Sequence, residues 1–291
     1  MKKLILINVI ALTLIGCGGG NSASHTSSSA SSSSAVSSTS SSADPLAQWP
    51  KPKSKLVAKD PAIEQKIDAI LAKMTLEEKV GQTIQAEVHF ITPTDVTQYH
   101  IGSVLNGGGS LMSATNPNQY ANVNDWLQLA DAFYKASIDT SNGSQGIPIM
   151  WGVDAIHGHN NVIGATLFPH NIALGAANNP ELMKKISEAT AEEVAATGLD
   201  WTFAPTLAVV RNDRWGRTYE SYSEDPSIVK AYAGNIIEGL QGNATSADFL
   251  SDKHVIATAK HFLGDGGTTD GIDRGNTEVT EAELINIHAQ G

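Results

Sequence analysis

Two hydrophobic periodicities alternate along the chain from about residue 60. Helix-spaced apolar positions come with start and stop signals. Asp60-Pro61 puts a cap and a proline at the first helical position, ahead of Ile63, Ile67, Ile70 and Leu71. Thr75 and Glu78 form a capping box in TLEEKVGQ. Asn179-Pro180 opens a helix with Leu182, Ile186 and Ala189 on one face, and Gly198 ends it. Asp225-Pro226 starts another, carrying Ile228, Val229, Ile236 and Leu240, and Thr280 with Glu283 caps a last one, TEAELINIHAQ. Between these lie short apolar runs bounded by glycine or polar residues: IGSVLNGGG (101–109), IPIMWGVDAI (147–156), LDWTFAPTLAVV (199–210) and HVIATAKHFLG (254–264). Near-continuous apolar strands alternating with helices predict an α/β fold, a parallel sheet with helices outside it.

Each strand run gives way to a polar or glycine-rich stretch at its C-terminal side. Asn106-Gly107-Gly108-Gly109 follows the first, DAIHGHNN the second, RNDRWGRTYESYSEDP (211–226) the third and KHFLGDGG the fourth. Loops are polar because they are wet, but that does not account for Lys260-His261 continuing directly from an apolar strand. Parallel α/β barrels build their active sites from the loops at this end. NGGGS (106–110) lacks the spacing and the lysine of a phosphate-binding loop, and is read as a turn that lets backbone approach the pocket.

The other end of the chain differs in composition. Lys2 and Lys3 precede an apolar run, Leu4 to Ile15, that is too short to span a bilayer and has the proportions of a secretory signal. Leu14-Ile15-Gly16-Cys17 resembles a bacterial lipoprotein signal, in which Cys17 is lipidated; an ordinary cleaved signal with an incidental cysteine is the alternative. Cys17 is the one cysteine, so no intrachain disulfide forms. The serine-rich tract that follows cannot bury apolar area and reads as a tether. The expected organisation is a signal over 1–17, a tether over 18–50 and a catalytic-barrel segment over 51–291. Such a protein is exported and held to a membrane facing the periplasm or cell surface. Net charge is −11, from 30 acidic and 19 basic side chains, and no basic cluster interleaves with aromatics, which argues against nucleic acid.

GVDAIHGHNNVIGATLFPHNIALGAA (152–177), FAPTLAVVRNDRWGRTYESYSEDP (203–226) and ATAKHFLGDGGTTDG (257–271) resemble the N-terminal domain of glycoside hydrolase family 3, in its β-glucosidase and exo-β-1,3/1,4-glucanase branch. The resemblance covers roughly residues 60 to 291 and implies a TIM-type (β/α)8 barrel, incomplete at the C-terminus of this chain. It implies retaining hydrolysis that releases β-D-glucose from non-reducing ends of β-glucans or β-glucosides, with no cofactor. It places Asp154, Arg217, Lys260 and His261 on the hydroxyls of the terminal glucose, with Glu220 and Glu224 holding Arg217 or Lys260. The chemistry suits those types: a carboxylate accepts from two hydroxyls, while guanidinium, ammonium and imidazole donate to others.

One departure matters. The family's nucleophile is an aspartate in a Ser-Asp-Trp-like motif, which this chain lacks; Asp200-Trp201 precedes its strand and belongs at the opposite end of the barrel. The nucleophile is therefore expected beyond residue 291, and with four clear strands against eight the chain reads as an N-terminal fragment, inactive and poorly soluble alone. Two readings compete. A metal-dependent barrel hydrolase would use His157 and His159, completed from His170, His261, Asp265, Asp270 or Asp273. A non-catalytic sugar-binding lipoprotein would need only the sugar contacts. Family hexosaminidases carry a histidine where this chain has Asp265, which favours glucosidase, and DGGTTDGID does not match a twelve-residue calcium loop.

Overall fold

Five strands form one sheet in sequential order, every neighbouring pair parallel: β1 (Gln85–Glu87), β2 (Ser103–Asn106), β3 (Met150–Val153), β4 (Trp201–Thr202) and β5 (Ile256–Ala257). The structure is a computed structural model that describes residue 44 and residues 46–51, 59–109, 111–113 and 119–291. Leu46–Gly291 make one compact unit; the other, Met1–Pro45, holds Cys17 and lies, apart from Asp44, outside the described residues. The helices are α1 (Pro61–Leu71), α2 (Leu76–Gln82), α3 (Pro93–Tyr99), α4 (Val123–Ser137), α5 (Asn171–Ala176), α6 (Pro180–Ala196), α7 (Pro226–Gln241) and a last turn, α8 (Glu281–Glu283). This is the strand-helix alternation of a (β/α) barrel wall. No helix among the described residues is long and apolar enough to cross a membrane.

The expected capping signals form. Asp60, Asn179 and Asp225 each accept a backbone N–H of the first turn ahead of their prolines, and Thr75–Glu78 and Thr280–Glu283 close reciprocal boxes. Each such cap stabilises its helix by about 1 kcal/mol. Three expectations differ from the structure. The apolar stripe of α1 stays open, with Ile63, Ile67, Ile70 and Leu71 all 41–55% exposed. The last helix turns into a π-helix at Leu284–His288. The strand count is five rather than four, because β1 is a three-residue segment, QAE, with no apolar run to mark it.

The core lies where α4, α6 and α7 cover the sheet. Trp151 of β3 stacks on Trp126 of α4 at 5.7 Å and meets Phe133 edge-on at 5.6 Å. Trp126, Phe133 and Trp151 are each at most 2% exposed, and burying a ring of this size stabilises the fold by roughly 2–3 kcal/mol. Tyr232 of α7, fully buried, donates to Leu174 O and accepts from Asn179 N, both at 2.8 Å, tying α7 to the start of α6.

Register sets the functional face. Asn106 pairs with Val153 and Val153 with Thr202, so Gly107, Asp154 and Phe203 emerge side by side where the ladder ends. Beyond β4 and β5 the backbone pairing continues irregularly. Thr202 faces Ala257, but Thr206 bridges Lys260, a slip of one residue. Thr258 N donates to Ala204 O, Lys260 N to Pro205 O and Leu207 N to Lys260 O. A slip of this kind re-aims side chains beside a site.

Candidate functional site

Three loops at the C-terminal ends of β3, β4 and β5 carry four of the sequence-predicted side chains, which form two contacting pairs. Asp154 follows β3 directly, and its N–H donates to Asn106 O at the end of β2. Its Oδ1 accepts from Lys260 Nζ at 2.6 Å, with 27% and 15% of the two side chains exposed. Gly107 lies beside Asp154 Oδ2, so backbone does approach the site there. His261 follows Lys260 and points its Nε2 at Arg217 Nη2, 3.2 Å away.

Arg217 is locked before any ligand arrives. Its Nε and Nη2 donate to the two oxygens of buried Glu220 at 2.8 and 2.6 Å, a bidentate fork. That hydrogen bond raises the guanidinium pKa above its ordinary value, against the opposing effect of burial. A guanidinium only donates, so His261 Nε2 accepts from it and the imidazole proton is assigned to Nδ1. His261 Nδ1 lies 2.7 Å from Asp265 Oδ2, off the line of a good hydrogen bond, and neither atom has another partner. The contact is one of proximity, not a directed hydrogen bond. The two pairs, linked through the adjacent Lys260 and His261, present both donors and acceptors, a mix that suits a polyhydroxylated ligand.

Glu220 thus holds Arg217 as expected, but Lys260 is held by Asp154 rather than by a glutamate. Glu224 holds neither cation; only its backbone O is used, by Arg211 Nη1 at 2.9 Å. The reason is helix entry: Glu224 sits just ahead of the Asp225 cap of α7.

The metal reading through His157 and His159 does not survive the geometry. Gly158, at φ +99°, turns the two imidazoles to different surroundings. His159 is fully buried against Trp126, with Nε2 on Thr197 Oγ1 at 2.9 Å, and burial lowers its pKa to about 4. His157 faces Phe168 O at 2.8 Å and lies 4.2 Å, ring to ring, from His170. Burial first, then the charge of His157, lowers the pKa of His170. Among the described residues no three histidine, cysteine, aspartate or glutamate side chains gather as a metal site would require.

Asp200 lies at the far end of the sheet, where its N–H donates to Trp151 O just before β4. Burial raises its pKa. It is remote from Asp154 along the strand direction, as the sequence predicts. Sequence reasoning missed two contacts at the site. Asp265 entered the sequence reading as a metal candidate and as a mark against hexosaminidase, not as a neighbour of His261, which it faces. Asp273 accepts from Trp215 Nε1 at 2.9 Å across 58 residues, and no local pattern announces that pairing.

Residues 75–291 match the family model for the glycosyl hydrolase family 3 N-terminal domain. The solved exo-1,3/1,4-β-glucanase of a Pseudoalteromonas species is 54% identical with a TM-score of 0.77, over 83% of this chain and 30% of that one. The lysosomal β-glucosidase of Dictyostelium discoideum is 32% identical over 75% of this chain and 28% of its own length. The periplasmic β-glucosidase of Salmonella typhimurium is 25% identical over 83% of this chain and 29% of its own length. The chain thus spans under a third of the length of each of these relatives.

Proposed function

This chain belongs to glycosyl hydrolase family 3, and from that premise we propose that Asp154, Lys260, Arg217 and His261 grip the non-reducing-end glucose of a β-glucan or β-glucoside that is then hydrolysed. One observation carries the reading: two contacting pairs, Asp154 with Lys260 and Arg217 with His261, meet at one end of the sheet on three separate loops. Asp154 would accept from two sugar hydroxyls. Lys260, Arg217 and the imidazole would donate to or accept from their neighbours. Binding energy from these hydroxyls, remote from the bond being cut, serves to distort the ring toward an oxocarbenium-like transition state. The names of the glucanase and the β-glucosidases above support glucose as the sugar, while other relatives are named β-xylosidases.

The reaction class that goes with this site is retaining double displacement, which needs two carboxyl groups about 5 Å apart flanking the glycosidic bond. Three carboxylates at this face are engaged: Asp154 with Lys260, Glu220 with Arg217 and Asp273 with Trp215. We assign this chain the sugar-gripping part of the site, because no Ser-Asp-Trp-like motif that would carry the nucleophile occurs in it. Export fits the periplasmic relative. Anchoring through Cys17 rests on Leu14–Cys17 alone, and palmitate labelling that persists in Cys17→Ala would overturn it.

The function is tested by titrating D-glucose into the 291-residue chain by calorimetry or saturation-transfer NMR, beside an aryl β-glucoside assay. The expected outcome is saturable binding on the order of millimolar, lost in Asp154→Asn, with no aryl alcohol released. Binding that Asp154→Asn leaves unchanged, or no binding at all, refutes the sugar site. Turnover above the Asp154→Asn control refutes the absence of catalytic carboxylates.

A further inference from the structure

Residues 264–277 follow β5 and lie against the turn that carries Arg217. Arg211 N donates to Gly266 O at 2.8 Å. Gly271, at φ +71°, comes so close to the turn that a Cβ there would sit 2.7 Å from Trp215 N. A side chain is excluded on both counts, by backbone conformation and by space. Trp215 is 1% exposed and packs with Ala208 and Val210 in a small cluster separate from the main core. Its indole N–H finds one partner, Asp273 Oδ1. The hydrogen bond from Trp215, and then the charges of Arg217 and Arg274, hold the Asp273 carboxyl below the usual carboxylate range.

The other end of Trp215 organises Arg217. Trp215 O accepts from Thr218 N at 3.0 Å and from Thr218 Oγ1 at 2.8 Å. Those bonds start the 3-10 turn Thr218–Glu220, and that turn delivers Glu220, the bidentate partner of Arg217. An unbroken chain of contacts thus runs from Asp273 through the indole and the Trp215 carbonyl to Glu220 and the guanidinium.

We infer that Asp273 is a positioning residue for the sugar site: it anchors the Trp215 ring and thereby fixes the turn that presents Arg217. The role of Arg217 rests on the sugar-site reading above, whereas the anchoring is geometric and can be measured without sugar. Asp273 itself touches neither Arg217 nor His261 through a hydrogen bond. Its hydrogen-bonded route to the guanidinium passes through Trp215, beside the through-space attraction between the two charges.

The test uses the 291-residue chain with two readouts, the Arg217 Nε–H resonance by 15N NMR and the affinity for D-glucose. Asp273→Ala should lose the slowly exchanging Arg217 signal and weaken glucose binding about tenfold, while Asp273→Asn, which keeps an acceptor, stays within about twofold of wild type. Trp215→Phe removes the donor and keeps a buried ring. It should match Asp273→Ala, and the double variant should be no worse than either single one. Trp215→Phe also carries the test if the alanine variant does not fold. An Arg217 signal unchanged in both Asp273→Ala and Trp215→Phe overturns the inference whatever glucose does, and so does an asparagine variant as impaired as alanine. If wild type binds no glucose yet Asp273→Ala still loses the Arg217 signal, the anchoring stands and the sugar reading falls.

Discussion

Replacing Lys260 with methionine removes the cation from Asp154 while keeping a side chain of similar length. At 2.6 Å and an effective dielectric of about 20, the gross attraction is about 6 kcal/mol. Desolvation of both charges offsets most of it. The pair is neither fully buried nor free in water, with 15% and 27% of the side chains exposed. Its loss therefore falls between the ~0–1 kcal/mol of surface pairs and the 3–5 kcal/mol of buried ones, at about 2 kcal/mol. That corresponds to a fall in Tm of about 4–8 °C for a domain of this size. Urea unfolding followed by tryptophan fluorescence, with calorimetry beside it, measures the change. The double variant Lys260→Met, Asp154→Leu should recover most of the lost stability, since two apolar side chains leave no buried charge unpaired. Glucose binding should be absent from both variants. A Lys260→Met chain as stable as wild type, or a double variant no better than the single, would refute this account of the pair.

Two other outcomes follow from buried groups. The His159 pKa is lowered from 6.5 to about 4, so below pH 6.5 the unfolded chain takes up a proton that the folded chain refuses. The stability this group contributes is whole above pH 6.5 and is lost as pH falls to about 4, by up to roughly 3 kcal/mol. His170 and His288 shift in the same direction, so His159→Asn should flatten the acid limb of a urea-midpoint titration without abolishing it; a slope identical to wild type contradicts the assignment. Gly175→Ala places a Cβ 1.6 Å from Tyr222 O, backbone that cannot give way cheaply. It should destabilise by more than about 3 kcal/mol, and an expressed variant with the wild-type unfolding midpoint would contradict the packing of α5 on that loop.

Local chemistry wrote the helices most plainly. Boxes closed by glutamate, at Thr75–Glu78 and Thr280–Glu283, announce themselves. Those closed by aspartate, at Thr92–Asp95 and Asn122–Asp125, start α3 and α4 just as well, but aspartate is the less usual partner at the third helical position and marks a start less plainly in the sequence. The strand runs overstate the ladders. Residues 199–210 are largely apolar, yet only Trp201 and Thr202 form ladder pairs, and the rest is held by irregular backbone bonds and buried contacts that a run of hydrophobic letters cannot distinguish. At the site, Lys260 stood out because a charge directly extends an apolar run. Its pairing with Asp154 across 106 residues is tertiary: the family resemblance implies that both face one sugar, but not that they pair with each other. Asp273 had neither a local pattern nor a family motif behind it.

Around the proposed sugar site four carboxylates, Asp154, Glu220, Asp265 and Asp273, stand against three cations, Lys260, Arg217 and Arg274. The balance is negative, as it is for the chain as a whole at −11. A sugar site built this way would repel an anionic sugar such as a uronate on approach and leave a neutral hexose unaffected, so its affinity for glucose should hardly respond to salt.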